Sequence, residues 1–409
     1  MFGDVSYRSS AEWRESIQTL AILSTVFFIL TAIAYFYTLT WSEAIARDGT
    51  TLVIGRDFLN FWMYGRAALT PDPSRFYDLQ TYNHELAALL GENYPWQNWS
   101  YPPSIMLLAA PFGRLGYMHA LLCWTALGIA IFLWTASRQV TDRRLLIPLI
   151  FAPAAVFCLI SGQSAFITAA MLITIFTCLD RKPISAGVLL GLLTLKPQLG
   201  LLFPVMLIAS GRWRVLIAAA VTAIAIAGLT AVLFGPEVWM DYVLKGVPTQ
   251  NLVLVDPQML GAPFMPTIFM NMRTAGAGYG LAMAVQACFS LFAVGAVFWA
   301  YRFRKDADPQ LLTALFFGCL ISGLPYLLSY DVLAMTFVVV TLVAAGKLDA
   351  TGERLGQLVY WLPVAQLALG TLHIPGPALI APTFSLYLLS RLRKRSTTLH
   401  AAANRPPAP

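Results

Sequence analysis

The sequence predicts an all-α polytopic membrane protein with about 12 crossings. Hydrophobic residues make up 58% of the 409-residue chain and charged residues only 11%, whereas soluble domains carry about 25% charged residues. Apolar stretches alternate along the chain with short basic loops. Backbone in lipid must satisfy its own hydrogen bonds, so each apolar stretch is expected to form an α-helix.

Composition also excludes several classes of protein. The net charge of +7 does not indicate nucleic-acid binding, because the Lys and Arg residues lie in short clusters between apolar runs, as in membrane proteins. The five cysteines fall inside apolar runs without CxxC spacing, so neither a disulfide framework nor a thiolate metal site is expected. The first apolar run, residues 17–38, is too long for a cleavable signal and is expected to remain as an anchor.

The basic clusters predict the orientation, because cytoplasmic loops are enriched in Lys and Arg. With these clusters inside, both termini are cytoplasmic and two polar segments, residues 41–103 and 235–277, lie outside. We expect one transmembrane domain over residues 1–395 and a disordered cytoplasmic tail over 396–409. The predicted crossings are 17–38, 104–137, 145–160, 163–179, 184–195, 197–210, 215–234, 278–301, 310–328, 331–346, 355–371 and 374–390.

Three stretches need a closer interpretation. The run 104–137 is too long for one span of about 20 residues, so we interpret 104–113 as an interfacial piece and 118–137 as the crossing. The runs 184–195 and 197–210 are short, which predicts that their join at Lys196-Pro197-Gln198 is recessed below the outer surface. Within the first outer segment, the pattern near Leu79–Leu90 predicts a helix.

This topology brings unusual polar residues to the outer face. Asp57 follows the first crossing, where a helix cap or a solvated carboxylate is the plain alternative to chemistry. Lys196 is the only Lys or Arg between Lys182 and Arg212. An ionisable residue at membrane depth is a functional candidate, although a snorkelling lysine stays open as an alternative. The other residues of this set are Gln163, Gln198, Tyr330, Asp331 and His373.

Neither metal nor nucleotide chemistry is expected. The histidines have no partner at metal-ligand spacing, and no GxxxxGK[ST] stretch occurs. The aromatic group Tyr94, Trp96, Trp99 and Tyr101 has two interpretations. Aromatic rings stack on sugars and also populate the membrane–water interface, and we favour the interfacial belt.

An ordered set of short motifs extends from the first outer segment to the tenth crossing. The motifs are Asp57-Phe58-Leu59-Asn60-Phe61-Trp62, Tyr64-Gly65-Arg66-Ala67-Ala68, Phe76-Tyr77-Asp78, Tyr101-Pro102-Pro103, Leu107-Leu108-Ala109-Ala110-Pro111-Phe112, Gly162-Gln163-Ser164, Lys196-Pro197-Gln198, Gly211-Arg212-Trp213-Arg214 and Tyr330-Asp331. With these motifs the chain resembles the GT-C glycosyltransferases, most closely the bacterial family 87, whose known members include polyprenol-phosphate-mannose-dependent α-mannosyltransferases. The resemblance implies a GT-C-like transmembrane helix bundle in the bacterial inner membrane, with its active site facing outside.

The resemblance also implies the chemistry. A polyprenyl-phosphate-linked sugar would be the donor, and a glycolipid or glycan of the envelope the acceptor. Asp57 would be the catalytic base, and Lys196, Gln198 and Arg66 would meet the donor phosphate, without metal or cofactor. For Arg66, a surface ion pair with Asp57 or Asp72 is an equal alternative. The residues assigned to substrate binding are Gln163, Tyr101, Tyr330 and Asp331.

One position departs from the family pattern. Mannosyltransferase members carry a histidine in the late outer turn, where this chain reads Leu328-Ser329-Tyr330-Asp331. Because of this departure, the motifs do not identify mannose as the transferred sugar, and mannose is only one candidate.

The alternatives to glycosyl transfer are a transporter or flippase, a non-catalytic scaffold, and an oligosaccharide ligase or polymerase. A secondary transporter or lipid flippase commonly has repeated halves and broken helices at the midplane, but no internal repeat is evident and the polar residues lie toward one face. A non-catalytic scaffold would tolerate substitution of Asp57. An oligosaccharide ligase or polymerase relies on a large outer loop rich in Arg and His, whereas residues 235–277 contain only Lys245 and Arg273.

Overall fold

The computed structural model describes residues 10–41, 45–92, 94–95, 97–99, 101–255 and 262–403. Within these ranges the regular elements are helical. The extended backbone found there consists of isolated bridges, which pair Arg47 with Thr40 and with Val53. The prediction of an all-α fold is therefore confirmed for the described part of the chain.

The α-helices have the following bounds. They are α1 Ser10–Thr38, α2 Phe58–Ala67, α3 Leu79–Leu90, α4 Ile105–Gly113, α5 Tyr117–Ser137, α6 Leu146–Ile150, α7 Pro153–Ser161, α8 Ala165–Cys178, α9 Pro183–Leu192, α10 Phe203–Ser210, α11 Trp213–Phe234, α12 Glu237–Asp241, α13 Val247–Val255, α14 Ile268–Thr274, α15 Tyr279–Phe303, α16 Pro309–Gly323, α17 Leu333–Ala344, α18 Ala350–Tyr360, α19 Leu362–Thr371 and α20 Ile380–Ala403. Short 3₁₀ turns and one π turn, Tyr242–Gly246, connect several of them.

The predicted number of about 12 crossings is not confirmed. Among the described residues, four helices are long and apolar enough to span a membrane, namely those in α1, α5, α11 and α15. A bent pair, Arg143–Ile150 with Pro153–Ser161, would make a fifth span. Proline and glycine divide the other apolar runs, because a proline ring cannot continue the preceding helix. The resulting shorter apolar helices are Ala165–Cys178, Pro183–Leu195, Pro197–Ser210, Pro309–Gly323, Ser329–Ala344 and Leu362–Thr371.

Several local predictions agree with the helix bounds. The run 104–137 is divided into α4 and α5 as predicted, and α3 covers Leu79–Leu90. Asp78 begins α3 by accepting a hydrogen bond from the backbone N–H of Thr81 at 2.9 Å, which satisfies one of the donors that a helix start leaves open. Gly91, with a φ of 91°, ends the helix.

The chain forms two compact units. The first unit comprises Ala21–Gly200 and Trp213–Gly261, and the second comprises Met1–Leu20, Leu201–Arg212 and Ala262–Pro409. The predicted outer segment 235–277 is thus divided between the two units.

In the first unit, α2 and α4 cross in very close contact. A Cβ added to Gly65 would lie 2.3 Å from the carbonyl oxygen of Ala109, and one added to Gly113 would lie 2.2 Å from the carbonyl carbon of Gly65. The two backbones therefore touch without side chains between them, as small residues permit in helix pairs. Around this crossing lies an apolar cluster that includes Phe58, Tyr64 and Trp99.

In the second unit, buried amides connect the loops to the helices. The side-chain amide of Asn271 donates to Gln366 Oε1 at 3.1 Å and accepts from the backbone N–H of Gly376 at 3.0 Å. The Gln286 side chain accepts from the N–H of Phe269 and donates to the carbonyl of Ser322. Buried polar groups need such partners.

The last helix extends beyond the predicted end of the domain. Helix α20 continues to Ala403, although the sequence predicts a disordered tail from residue 396. Its Arg391–Arg395 stretch contains good helix formers, which favours continuation of the helix. Residues 404–409 of the predicted tail lie outside the described residues.

The close crossing of α2 and α4 predicts that Gly65→Ala destabilises the protein by about 1–3 kcal/mol, because the new methyl group overpacks a backbone contact. Gly228→Ala is the matched control, since Gly228 lies within helix α11 with open space where a Cβ would be. We expect the melting temperature of the detergent-solubilised protein to fall for Gly65→Ala and to stay unchanged or rise slightly for Gly228→Ala, because alanine favours a helix interior over glycine. Equal melting temperatures for both variants would contradict the crossing.

Candidate active site

Asp57 lies in a tight turn immediately before α2. Gly55 and Arg56 both have positive φ angles, 83° and 35°, and this region is unfavourable for a residue such as arginine. The turn is closed by hydrogen bonds from Arg56 N–H to Val53 O and from Phe58 N–H to Gly55 O, at 2.9 and 2.7 Å. Backbone strain of this kind persists where surrounding contacts over-determine the conformation.

Those surrounding contacts involve side chains. Arg56 Nε donates to Asp48 Oδ2 at 2.6 Å, and the Asp48 side chain is almost fully buried. The hydroxyl of Tyr117, at the start of α5, donates to the carbonyl of Ile54 at 2.7 Å. Both contacts hold the residues just before Asp57, so they define the position from which its carboxylate projects.

Asp57 occupies the N-cap position of α2, but its side chain makes no capping hydrogen bond. The simplest alternative interpretation of this carboxylate, a helix cap, is therefore wrong. Asp57 is partly buried.

A second tight turn brings Gln163 to Asp57. Gly162 ends α7 in the left-handed conformation, with a φ of 60°. A Cβ at Gly162 would lie 2.6 Å from Cβ of Phe58, so only glycine lets this turn approach the start of α2 so closely. The indole of Trp124 donates to the Gly162 carbonyl at 3.0 Å and holds the turn in place.

The Gln163 side chain lies between Asp57 and Tyr101. Its Nε2 donates to Asp57 Oδ2 at 3.3 Å and to the Tyr101 hydroxyl at 3.0 Å. Its Oε1 accepts from the backbone N–H of Ser164 at 3.1 Å, which is consistent with this orientation of the amide. The structure therefore brings three of the predicted site residues into one hydrogen-bonded group.

Two buried tyrosines hold the backbone of Tyr101 in place. Its carbonyl oxygen accepts hydrogen bonds from the hydroxyls of Tyr64 and Tyr77, at 3.1 and 2.9 Å. Burial raises the pKa of Tyr64 and of Tyr77 well above the ordinary value. Both hydroxyls thus keep their protons at physiological pH and remain donors to Tyr101.

Trp99 is not part of the predicted interfacial belt of aromatic residues. Trp99 is 1% exposed and stacks on Tyr64 with ring centroids 3.5 Å apart. It therefore belongs to the apolar cluster around α2 and α4 rather than to a lipid-facing belt or a sugar platform. Tyr94 accepts a hydrogen bond from the N–H of Val53 and lies under the guanidinium of Arg47. Trp96 lies outside the described residues.

Lys196 is buried in the first unit, with 4% of its surface exposed. It follows the 3₁₀ turn Leu193–Leu195, and Gln198 lies in the next turn, Pro197–Gly200. The neighbouring Leu195 packs against the same apolar cluster as Phe58 and Tyr101. The lysine segment thus belongs to the same packed body as the Asp57 turn.

Arg66 is separated from Asp57. The two residues are nine positions apart along α2, which corresponds to about 13 Å and to opposite faces of the helix. The Arg66 side chain is exposed, and its guanidinium lies 5.0 Å from the centre of the Trp62 ring. This geometry does not support the alternative ion pair with Asp57.

Tyr330 and Asp331 belong to the second unit. Both are buried in the 3₁₀ turn Ser329–Val332 that precedes α17. Their assignment to substrate binding stays a prediction.

Sequence reasoning missed the residues that support the site. The strained Arg56 with its buried partner Asp48, and the pair Tyr64 and Tyr77, carry no recognisable spacing. Tyrosines inside otherwise apolar motifs were the available signal, because a buried hydroxyl requires a partner. Elsewhere in the segment, the Tyr82 hydroxyl donates to the side-chain oxygen of Asn60 in the same way.

Comparison with known families now adds to this geometry. The model of glycosyltransferase family 87 matches residues 99–324, which is more than half of the chain. The chain belongs to glycosyltransferase family 87. The matched segment includes Tyr101, Gln163 and Lys196 but begins after Asp57 and ends before Tyr330. No match was found among curated proteins or among solved structures.

Membership of family 87 makes the protein a glycosyltransferase, and the resemblance inferred from its motifs is confirmed. Among the described residues, no group of three or more His, Cys, Asp or Glu side chains could hold a metal ion. The groups that the structure brings together at the candidate site are the Asp57 carboxylate, the Gln163 amide and the Tyr101 phenol.

Proposed function

We propose that this family 87 protein is an inverting glycosyltransferase that moves a sugar from a polyprenyl-phosphate donor to a hydroxyl group of an envelope glycolipid or glycan. The observation that carries the proposal is the Asp57 carboxylate, held by Gln163 at the start of α2 and not used as a helix cap. A general base needs such a fixed position within hydrogen-bond reach of its proton.

The reaction is a single displacement. Asp57 takes the proton of the acceptor hydroxyl as the oxygen attacks the anomeric carbon of the donor. The bond between that carbon and the phosphate oxygen breaks, its electron pair leaves with the polyprenyl phosphate, and the configuration at the anomeric carbon inverts. The Gln163 amide, which bonds Oδ2, would fix the direction in which the carboxylate receives the proton.

The leaving phosphate gains negative charge in this step and requires a cation or donors near it. We assign this role to Lys196, with Gln198 as a neutral donor. Support comes from the burial of Lys196 and from its neighbour Leu195, which packs against the same apolar cluster as Phe58 and Tyr101. Arg66 is a weaker candidate, given its exposure and its position at the far end of α2.

We place the reaction at the outer face of a bacterial inner membrane, with both termini cytoplasmic. The support for this placement is the distribution of Lys and Arg between the apolar runs. The prenyl chain of the donor would remain in the membrane while its phosphate and sugar reach the Asp57 turn.

The first prediction tests the base. Asp57→Asn keeps the shape of the side chain but removes its basicity, and we expect transfer to slow by about 10²–10⁴-fold with an unchanged melting temperature. The measurement is single-turnover transfer from a polyprenyl-phosphate sugar by purified protein. Glu85→Gln, the same chemical change on the exposed face of α3, should retain wild-type rate. A near wild-type rate for Asp57→Asn would place the base elsewhere.

The second prediction concerns Gln163. In Gln163→Glu a second carboxylate lies beside Asp57, and like charges at this distance make ionisation harder. The acid limb of the pH–rate profile should therefore move upward by at least about one pH unit, so that activity lost at neutral pH returns at higher pH. Gln163→Leu removes the donor without adding charge, so the rate should fall with a smaller upward shift than in Gln163→Glu. An unshifted profile for Gln163→Glu argues against the assigned pairing.

The third prediction concerns Lys196. Lys196→Met should weaken binding of the polyprenyl-phosphate sugar about ten- to a hundredfold, as expected for loss of one charge-assisted hydrogen bond. Lys245→Met is the control, because Lys245 is an exposed lysine in a surface ion pair with Asp241. Equilibrium donor binding and the melting temperature are measured for both variants. Unchanged donor affinity in a stable Lys196→Met protein would exclude the phosphate role.

A further inference from the structure

The segment after span α11 forms an unusual helix. Helices α12 and α13 are joined without a break by the π turn Tyr242–Gly246, so that residues 237–255 make one element. This element follows the span directly, after a turn at Gly235 with a φ of 86°. We call it the surface helix.

One face of the surface helix packs on the first outer segment. Gly246 is buried, and a Cβ there would lie 3.0 Å from the ring of Tyr77. The rings of Tyr242 and Tyr77 meet edge to face, with centroids 5.9 Å apart. Val238 is completely buried. The inner face of the surface helix is therefore packed against the protein.

The opposite face is apolar and exposed. Met240, Val243, Leu244 and Val247 are 57%, 59%, 64% and 41% exposed, and their spacing of three and four residues places them along one stripe of a helix. Lys245 lies outside this stripe, and it pairs with Asp241 at 2.9 Å. A stripe of this kind is typical of helices that lie in a membrane interface.

The start of the surface helix lies alongside the span rather than beyond its end. The indole of Trp239 donates to the carbonyl of Ala227 at 3.1 Å. Ala227 is seven residues before Phe234, where the span ends, which corresponds to about 10 Å along the helix axis. Near that level the span exposes its own apolar side chains, Leu229, Val232 and Leu233. The stripe therefore lies on an element that packs beside a candidate span whose last turns also expose apolar side chains.

We infer that residues 237–255 lie in the outer boundary of the bilayer, with the stripe of Met240, Val243, Leu244 and Val247 embedded among the acyl chains of the surrounding lipids. The occupant of this surface is the lipid leaflet, because the surface helix is held against a candidate membrane span by the Trp239–Ala227 hydrogen bond and both elements expose apolar side chains. This segment is therefore a membrane-docking element and not a solvated outer loop.

The surface helix also connects the membrane to the candidate site. It contacts Tyr77, whose hydroxyl donates to the carbonyl of Tyr101, and the Tyr101 hydroxyl accepts from Gln163, the partner of Asp57. A helix anchored at the level of the lipid headgroups would hold the Asp57 turn at the depth of a lipid phosphate. This consequence rests on the proposed function, whereas the docking itself does not.

The test uses the full-length protein with one fluorophore. The accessible cysteines Cys123, Cys178 and Cys288 are replaced by alanine, while Cys158 and Cys319 are buried. Val243→Cys or, as a second variant, Leu244→Cys is then labelled with an environment-sensitive dye. The labelled protein is placed in phosphatidylcholine nanodiscs, and emission is quenched either by brominated lipid or by aqueous iodide.

Val243→Cys and Leu244→Cys should give blue-shifted emission that brominated lipid quenches and iodide does not. The matched control is Lys245→Cys, about half a turn round the axis from Val243, where iodide should quench more strongly than brominated lipid. Iodide quenching of both stripe positions as strong as at residue 245 would overturn the inference. Protection of both stripe positions from both quenchers would also overturn it, since protein would then cover the stripe. Because no glycosyl transfer is measured, failure here is distinct from failure of the catalytic proposal.

Discussion

The approach of Gly162 to the first turn of α2 is the contact on which the candidate site depends. A Cβ at this position would collide with Phe58 and with the carbonyl of Gly55. Because glycine also tolerates the left-handed φ found there, α7 can end against the Asp57 turn. Gln163 follows at once and reaches the carboxylate. Without this close approach, Asp57 and Gln163, 106 residues apart in the chain, would not share a hydrogen bond.

The described residues between α1 and α5 form a packed body rather than a loop. Its core contains Trp99 stacked on Tyr64, and the glycines of α2 and α4 let two helix backbones touch. Each buried tyrosine hydroxyl needs a partner, and Tyr64 and Tyr77 find it in one carbonyl oxygen, that of Tyr101. Rigid support of this kind suits a catalytic group, because small misplacements of reacting groups slow enzymes strongly.

Two features of the first unit bear on the proposed depth of the candidate site relative to the membrane lipids. Lys196 is buried, and we propose it as a partner for the phosphate of a lipid donor. The exposed apolar stripe on the surface helix is the proposed contact with the membrane lipids that surround this donor. The two features are separate observations in the first unit, and together they favour a reaction in which the donor stays in the membrane while its headgroup enters the protein.

The sequence by itself determined the helical class, the division of residues 104–137 into α4 and α5, the helix Leu79–Leu90 and the family. These depend on local hydrophobicity, on breakers and on ordered motifs, all of which can be read along the chain. Only the tertiary structure decided the lengths of the apolar helices, the buried place of Trp99 and the tyrosines beneath Tyr101. It also separated Arg66 from Asp57, and it joined Asp57 to Gln163. The physical reason is that burial and hydrogen-bond partners depend on residues distant in sequence, whose contacts no local pattern records.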